Sequence, residues 1–217
     1  SEMCIRDRGE IIDYLDGRGV KLVVIACNTL TVLGVDTLKG SHAFEIVGMS
    51  KGAQLVLAAS SRKKIGVFAT EFTINSGAHK AAILAADAGA YVYPQACPKF
   101  VPLIEGEQFD SAEVRAAVAE YAAPLKAAGI DTLILSCTHY PFIQKEIESE
   151  FGSEVTVIDP ADATAQDTKT VLAAEGLLRS EGAGTLEVCF TADVERGARI
   201  AGRVLPQGKC LFKEIKL

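Results

Sequence analysis

Two short apolar stretches share one pattern of hydrophobic and polar positions. Residues 19–27 read GVKLVVIAC and residues 129–137 read GIDTLILSC, so each stretch begins with Gly, continues through branched apolar residues and ends on Cys. A short apolar run bounded by Gly and polar residues is typical of a buried strand in a parallel sheet. In open α/β sheets, ligands bind outside the carboxyl ends of such strands. The pattern therefore predicts that Cys27 and Cys137 lie at equivalent strand ends, where chemistry is usually done.

Further apolar runs alternate with segments of helical periodicity. Additional strands are predicted at 46–49, 64–70, 90–93, 155–158, 186–191 and 211–215. Helices are predicted at 10–18, 28–37, 51–60, 79–88, from 111 onward, and at 141–151, 163–180 and 194–205. This alternation predicts an α/β fold with parallel sheets and right-handed crossovers. The internal repeat, offset by 110 residues, indicates two similar α/β halves with a cleft between them.

The first eight residues do not lead into a domain by their pattern, and Gly9 interrupts the chain before the first periodic segment. We therefore expect the first helix to begin after Gly9 and give Cys4 no role. A helix that feeds directly into a buried parallel strand is usually preceded by another strand. We expect that strand to be missing, which would leave an apolar face and strand edges uncovered.

Composition narrows the class of protein. The 217 residues are 49% hydrophobic, which is enough to bury a full core. The net charge is −6 and the longest basic run is Arg62-Lys63-Lys64, so we expect no nucleic-acid partner. No apolar stretch approaches the roughly 18 residues that span a bilayer, and no signal-peptide pattern is present. We expect a cytoplasmic protein with no membrane partner.

The six cysteines have wide, irregular spacing, which suits neither a disulfide scaffold nor paired zinc ligands. Cys27 and Cys137 differ from the others because they are repeat equivalents, each followed by small polar residues: Asn28 and Thr29, or Thr138. Such residues at the start of a helix bind a carboxylate well, and the helix end lowers the pKa of a nearby thiol. We predict functional roles for these two thiols. Packing roles are predicted for Cys97, Cys189 and Cys210.

Other polar residues support weaker hypotheses. His139 and Cys137 form a Cys-x-His pair, but no second ligand pair follows, so we expect no metal and interpret His139 as a residue that protonates or orients a substrate group. Thr70 and Thr73 are explained equally well as helix caps or as functional residues. Glu105 by itself is more typical of a solvated carboxylate. The serine-hydrolase elbow, the Walker A loop and the dinucleotide-binding glycine motif are absent from the sequence.

Four motifs together resemble one known family. They are residues 25–29 (IACNT), 64–70 (KIGVFAT) with Thr73 and Ser76, 97–105 (CPKFVPLIE) and 136–141 (SCTHYP). In this order and at this spacing they resemble the glutamate racemases, from about residue 10 to the end of the chain. His139 separates the pattern from the related aspartate racemases, which usually have Glu there.

The resemblance implies two pseudosymmetric α/β domains facing each other across a cleft, one at 51–159 and a discontinuous one formed by 1–50 and 160–217. It also implies a cofactor-independent enzyme that interconverts L- and D-glutamate and supplies D-glutamate for peptidoglycan. It implies that Cys27 takes the α-proton from D-glutamate and that Cys137 takes it from L-glutamate. It also implies that Glu105 and His139 assist Cys137. The residues implied to hold the substrate are Asn28, Thr29, Thr70, Thr73 and Thr138. Elementary chemistry agrees, since inverting a stereocentre by proton transfer needs a base on one face and an acid on the other.

The sequence also departs from this family. The Asp-Ser-Gly loop and the Pro-Tyr-Gly loop, which touch substrate in the family, are both absent, and the family aspartate that assists the first cysteine has no counterpart. We therefore expect the Cys27 side to be weakened. A smaller departure is Asp159-Pro-Ala-Asp162, where the family more often has Ser after the first Asp.

Three alternatives stay open at this point. The chain could act on aspartate or another acidic amino acid, bind an amino acid without turning it over, or be a thiol redox or metal protein. The oligomeric state is also open, with a homodimer as one alternative.

Overall fold

The computed structural model describes residues 2–35, 38, 42–182, 184–206, 208 and 210–217, with the backbone alone for 2–8. The helices are α1 Glu2–Gly17, α2 Asn28–Val32, α3 Ala53–Ala59, α4 Glu71–Asn75, α5 Ala78–Ala86, α6 Phe100–Glu105, α7 Ala112–Ala128, α8 Gln144–Phe151, α9 Ala161–Ala174 and α10 Val194–Ala201. The strands are β1 Leu22–Ile25, β2 Glu45–Gly48, β3 Lys64–Ala69, β4 Tyr91–Ala96, β5 Thr132–Ser136, β6 Thr156–Ile158, β7 Leu186–Phe190 and β8 Cys210–Glu214. Short 3₁₀ turns lie at Tyr140–Ile143 and Gly152–Glu154.

The largest sheet contains four parallel strands in the order β4-β3-β5-β6. β5 is buried along its whole length and β3 along all but its first residue, as expected for central strands covered on both faces. β4 contains Pro94, which lacks the N–H that a central strand needs, and β4 accordingly lies at the edge of the sheet. The predicted α/β fold with parallel sheets is confirmed.

Helices cover both faces of this sheet. On one face, Phe68 of β3 packs with residues of α6, α7 and α8, and three aromatic pairs centred on Phe100 have ring centroids 5.1 to 5.8 Å apart. On the other face, Ile65 and Val67 pack with residues of α3 and α5. Because dense packing on both sides allows little movement, the ends of β3 and β5 are held at fixed positions.

Two smaller parallel sheets are built from the two ends of the chain. β1 pairs with β2, and β7 pairs with β8. Ile12 of α1 packs with Val23, Ile25 and Ile46 under the first of these sheets. Val24 on the same sheet is 40% exposed beside an apolar groove of about 180 Å³ that also borders Cys27. The division into domains at 51–159 and at 1–50 with 160–217 stays a prediction.

Several local predictions differ from the structure. α1 runs from Glu2 through Gly9 without interruption, because an interior glycine costs a helix only about 1 kcal/mol and does not end it. α9 ends at Ala174 rather than near 180, because Gly176 takes up the left-handed conformation (φ 66°) two residues after the helix and turns the chain away. Cys97 is buried as predicted, whereas Cys189 and Cys210 are only half-buried. The last residues of the predicted helix 28–37 lie outside the described part of the chain.

Within the described residues, no helix combines the length and the apolar character needed to cross a membrane.

His79 on α5 is a buried titratable group whose charge the fold does not accommodate. The residue is 4% exposed, and neither ring nitrogen has a hydrogen-bond partner among the described residues. Burial, together with the positive charge of Lys51, lowers the pKa of His79 to about 4. An unfolded histidine titrates near pH 6.5, so protons bind preferentially to the unfolded chain between these values. The contribution of His79 to the unfolding free energy is therefore fully present above about pH 6.5, and it is lost as the pH falls towards 4.

We expect His79→Leu to flatten the dependence of stability on pH. Between pH 7 and pH 4 the unmodified chain should lose about 3 kcal/mol more of its unfolding free energy than the variant does. At pH 7 the substitution should cost little, because no hydrogen bond is lost. Urea denaturation at several pH values measures both quantities. Parallel stability profiles for the two proteins would contradict the assignment.

Candidate active site

The order of the strands creates a crevice at the carboxyl end of the main sheet. From β3 the chain crosses to β4 on one side and then returns to β5 on the other, so β3 and β5 flank the point where the winding reverses. Such a reversal leaves a crevice where ligands bind in open α/β sheets. Ala69 pairs with Ser136 at the ends of these strands. Thr70 and Cys137 follow directly, so the pairing brings two of the predicted site residues to one edge.

A triangle of hydroxyl groups joins this edge to the first repeat. Thr29 lies in α2, two residues after Cys27, and its Oγ1 lies 2.9 Å from Thr70 Oγ1 and 3.2 Å from Thr73 Oγ1. Thr70 Oγ1 lies 3.0 Å from Thr73 Oγ1 and also accepts a bond from the Thr73 backbone N–H at 3.4 Å. Thr70 therefore caps α4 and belongs to the polar cluster at the same time. The triangle brings the segments after β1 and β3 into contact.

Cys137 is 8% exposed and lies three residues before the 3₁₀ turn that begins at Tyr140. Burial raises the pKa of Cys137 to about 11, although hydrogen bonds from the backbone N–H groups of His139 and Tyr140 act in the opposite direction. The expected lowering by the turn is thus present but is outweighed by desolvation. Cys27 also raises the pKa of Cys137, so the two thiols are close enough to interact electrostatically. Both are free thiols.

His139 connects Cys137 to Glu105. His139 Nδ1 lies 3.9 Å from Cys137 Sγ, and His139 Nε2 lies 2.7 Å from Glu105 Oε1. When Glu105 is ionised it can only accept this hydrogen bond, so Nε2–H donates it. In the neutral form of the ring, the lone pair of Nδ1 then faces the thiol. The three groups can therefore pass a proton from sulfur to nitrogen while the carboxylate balances the charge. Glu105 is half-buried and hydrogen-bonded, unlike the solvated carboxylate that its own sequence context favours.

The remaining predicted residues occupy different surroundings. Asn28 is 3% exposed, and its side-chain nitrogen has no hydrogen-bond partner within the described part of the chain. A buried donor without a partner is costly, so a ligand carboxylate or carbonyl at this position would be favourable. Thr138 is exposed, between Cys137 and His139. No group of three or more His, Cys, Asp or Glu that could hold a metal occurs among the described residues.

The structure also brings residues to this site that no sequence motif indicated. Arg196 Nη2 lies 4.0 Å from Glu105 Oε2, and Arg196 Nε lies 3.1 Å from Asp193 Oδ2. A cavity of about 380 Å³ between α10 and Phe142 also borders Glu105. No local motif marks these residues, because they lie in the C-terminal βαβ unit, far along the chain from Glu105.

Comparison with known proteins gives consistent similarities. A family profile described as Asp/Glu/hydantoin racemase matches residues 8–168. A glutamate racemase from Lysinibacillus sphaericus (strain C3-41) is 37% identical over 205 residues, covering 94% of this chain and 77% of the relative. One from Lactiplantibacillus plantarum is 42% identical over 164 residues, covering 75% of this chain but only 60% of the relative.

Solved structures are similar along the whole chain. The glutamate racemase isoform RacE1 from Bacillus anthracis superposes with a TM-score of 0.91 at 30% identity, covering 100% of this chain and 81% of the other. The glutamate racemase from Thermus thermophilus, solved with β-chloro-D-alanine, gives a TM-score of 0.80 at 31% identity, covering 100% and 80%. Both comparisons confirm the predicted fold.

The raised pKa of Cys137 predicts slow alkylation of this thiol by iodoacetamide. In the substrate-free protein the rate should rise about tenfold per pH unit between pH 7 and 10 without a plateau, because only the thiolate reacts. Peptide mass spectrometry resolves Cys137 from the other cysteines, and free glutathione serves as the reference thiol. A plateau below pH 9 would contradict the dominance of burial over the two backbone hydrogen bonds.

Proposed function

Since the chain belongs to the Asp/Glu/hydantoin racemase family and, within it, to the glutamate racemases, we propose that it interconverts L- and D-glutamate by two-cysteine proton transfer. The glutamate racemases are isomerases. The observation that carries the proposal is the pair of thiols at equivalent strand ends, Cys27 and Cys137, on segments that the contacts of Thr29 with Thr70 and Thr73 bring together. Two like groups on opposite faces of one carbon allow each to act as the base in one direction and as the acid in the other.

The reaction from L-glutamate begins at Cys137. Because its pKa is raised to about 11, Cys137 rests as a thiol and must first give its proton to His139 Nδ1. Glu105, 2.7 Å from Nε2, stabilises the positive charge that this creates on the imidazole ring. The thiolate then takes the α-proton, so the Cα–H bond breaks and an S–H bond forms. The Cys27 thiol delivers its own proton to the opposite face, which completes the inversion.

The polar groups around the crevice supply the binding energy in this proposal. The hydroxyls of Thr29, Thr70 and Thr73 and the side-chain amide of Asn28 are donors held in place by the fold. Directed at the substrate carboxylate, they stabilise the negative charge that develops when the α-proton leaves. No cofactor takes part, so this stabilisation and the exclusion of water must lower the barrier. The family resemblance implies that Thr138 also holds the substrate.

The two sides of the site are unequal. Cys137 has His139 within 3.9 Å, whereas the described residues place no hydrogen-bonding side chain on Cys27 Sγ. Proton abstraction from L-glutamate should therefore be better supported than abstraction from D-glutamate. The D-glutamate formed would serve peptidoglycan synthesis, which is the role implied by the family resemblance.

Exchange of the α-proton in D2O tests this function. We expect the chain to incorporate deuterium at Cα of L-glutamate, and Cys137→Ala to abolish this incorporation, because the base on that face is removed. Cys27→Ala should abolish incorporation into D-glutamate, and Cys189→Ala, a half-buried cysteine outside the site, should change neither rate. Mass spectrometry of the recovered amino acid measures the label.

Other outcomes separate the alternatives. Faster exchange with aspartate than with glutamate would assign the chain to a different acidic amino acid. Glutamate binding in calorimetry without exchange at either isomer would indicate a binding protein and would contradict the proposed reaction.

A further inference from the structure

The Glu105 carboxylate lies between two cationic or potentially cationic groups. Its Oε1 lies 2.7 Å from His139 Nε2, and its Oε2 lies 4.0 Å from Arg196 Nη2. These contacts use the two different oxygens of the carboxylate, and Arg196 lies on α10 in the C-terminal βαβ unit. An element remote in sequence from the crevice thus places a cation beside the Glu105 oxygen that His139 does not contact.

Arg196 is itself held in place from within α10. Asp193 is the N-cap of this helix, and its Oδ1 accepts a hydrogen bond from the Arg196 backbone N–H at 3.4 Å. Asp193 Oδ2 lies 3.1 Å from Arg196 Nε. With Nε directed at Asp193, the flat guanidinium group presents Nη2 towards Glu105. Asp193 takes up the left-handed conformation (φ 51°), which few residues other than Gly, Asn and Asp adopt readily.

Apolar packing that involves neither Arg196 nor Arg199 holds α10 beside Glu105. Arg199 Nη2 and Nε also lie 2.6 and 3.0 Å from Glu107 Oε1, just after α6, but this exposed ion pair adds little stability. Gly197 faces the Phe190 ring so closely that a Cβ atom would lie 2.3 Å from Phe190 Cε1. Ile200 packs against the main core. The helix thus keeps its place if the Arg196 side chain alone is changed, so the role of that side chain can be tested separately.

We propose that Arg196 is a positioning residue for proton transfer at Cys137. It restrains Glu105 so that Oε1 faces His139 Nε2 and the other ring nitrogen faces the thiol. The inference rests on the proposed function. It adds the C-terminal βαβ unit to the elements that support Cys137, but not to those that support Cys27. Because Arg196 and Glu105 are both about half exposed, their ion pair contributes little to stability, and its effect lies in orientation.

The test compares Arg196→Gln with Arg199→Gln in the full chain. Both variants remove one arginine of α10 that pairs with a glutamate near the end of α6, but only Arg196 contacts Glu105. The first measurement is the rate of Cys137 alkylation by iodoacetamide at pH 8, which needs no substrate. We expect Arg196→Gln to slow it about three- to tenfold and Arg199→Gln to change it less than twofold. Arg196→Lys should resemble Arg196→Gln, because an ammonium group cannot contact Asp193 and Glu105 as the guanidinium fork does.

The second measurement is deuterium incorporation at Cα of each glutamate isomer. Arg196→Gln should reduce incorporation into L-glutamate by the same three- to tenfold factor and leave incorporation into D-glutamate within twofold, since Cys27 does not depend on Glu105. Unchanged alkylation in Arg196→Gln, or equal slowing in both arginine variants, would overturn the positioning role. Absence of exchange in the unmodified chain would instead overturn the proposed function, because alkylation reports the geometry at Cys137 without turnover.

Discussion

The parallel pairing of β3 with β5 is the constraint on which the site depends. Ala69 lies opposite Ser136, so the residues that follow, Thr70 and Cys137, emerge side by side at one edge of the sheet. A shift of one residue in this register would turn every side chain of β5 to the other face. The helices packed on both faces prevent that shift, because the strand residues are almost completely buried. Precision at the crevice thus comes from the core beneath it.

Polar contacts connect this edge of the sheet to the segment after Cys27 and to α10. The hydroxyl triangle of Thr29, Thr70 and Thr73 joins the segment after Cys27 to the segment after β3. On the other side of the crevice, Glu105 joins Cys137 through His139 and reaches Arg196 on α10. Since these contacts are partly exposed and individually weak, they direct side chains more than they stabilise the fold.

Burial dominates the environment of Cys137. It raises the pKa of the thiol to about 11, which opposes formation of a thiolate. The imidazole of His139, which is paired with Glu105, is the group that we propose as the acceptor of the thiol proton. Cys27 is more exposed and lacks such a neighbour among the described residues, so the two halves of a sequence repeat carry unequal surroundings.

The sequence by itself determined most of the helices and strands, the parallel α/β class and the placement of Cys27 and Cys137 at strand ends. These follow from the spacing of apolar residues and from turn residues, which act over a few positions. Only the tertiary structure decided the strand order, the contact of Glu105 with His139 across 34 residues, the approach of Arg196 and the raised pKa of Cys137. The physical reason is that these depend on how distant segments pack together and on how much water the packing excludes, and neither is encoded in a local pattern.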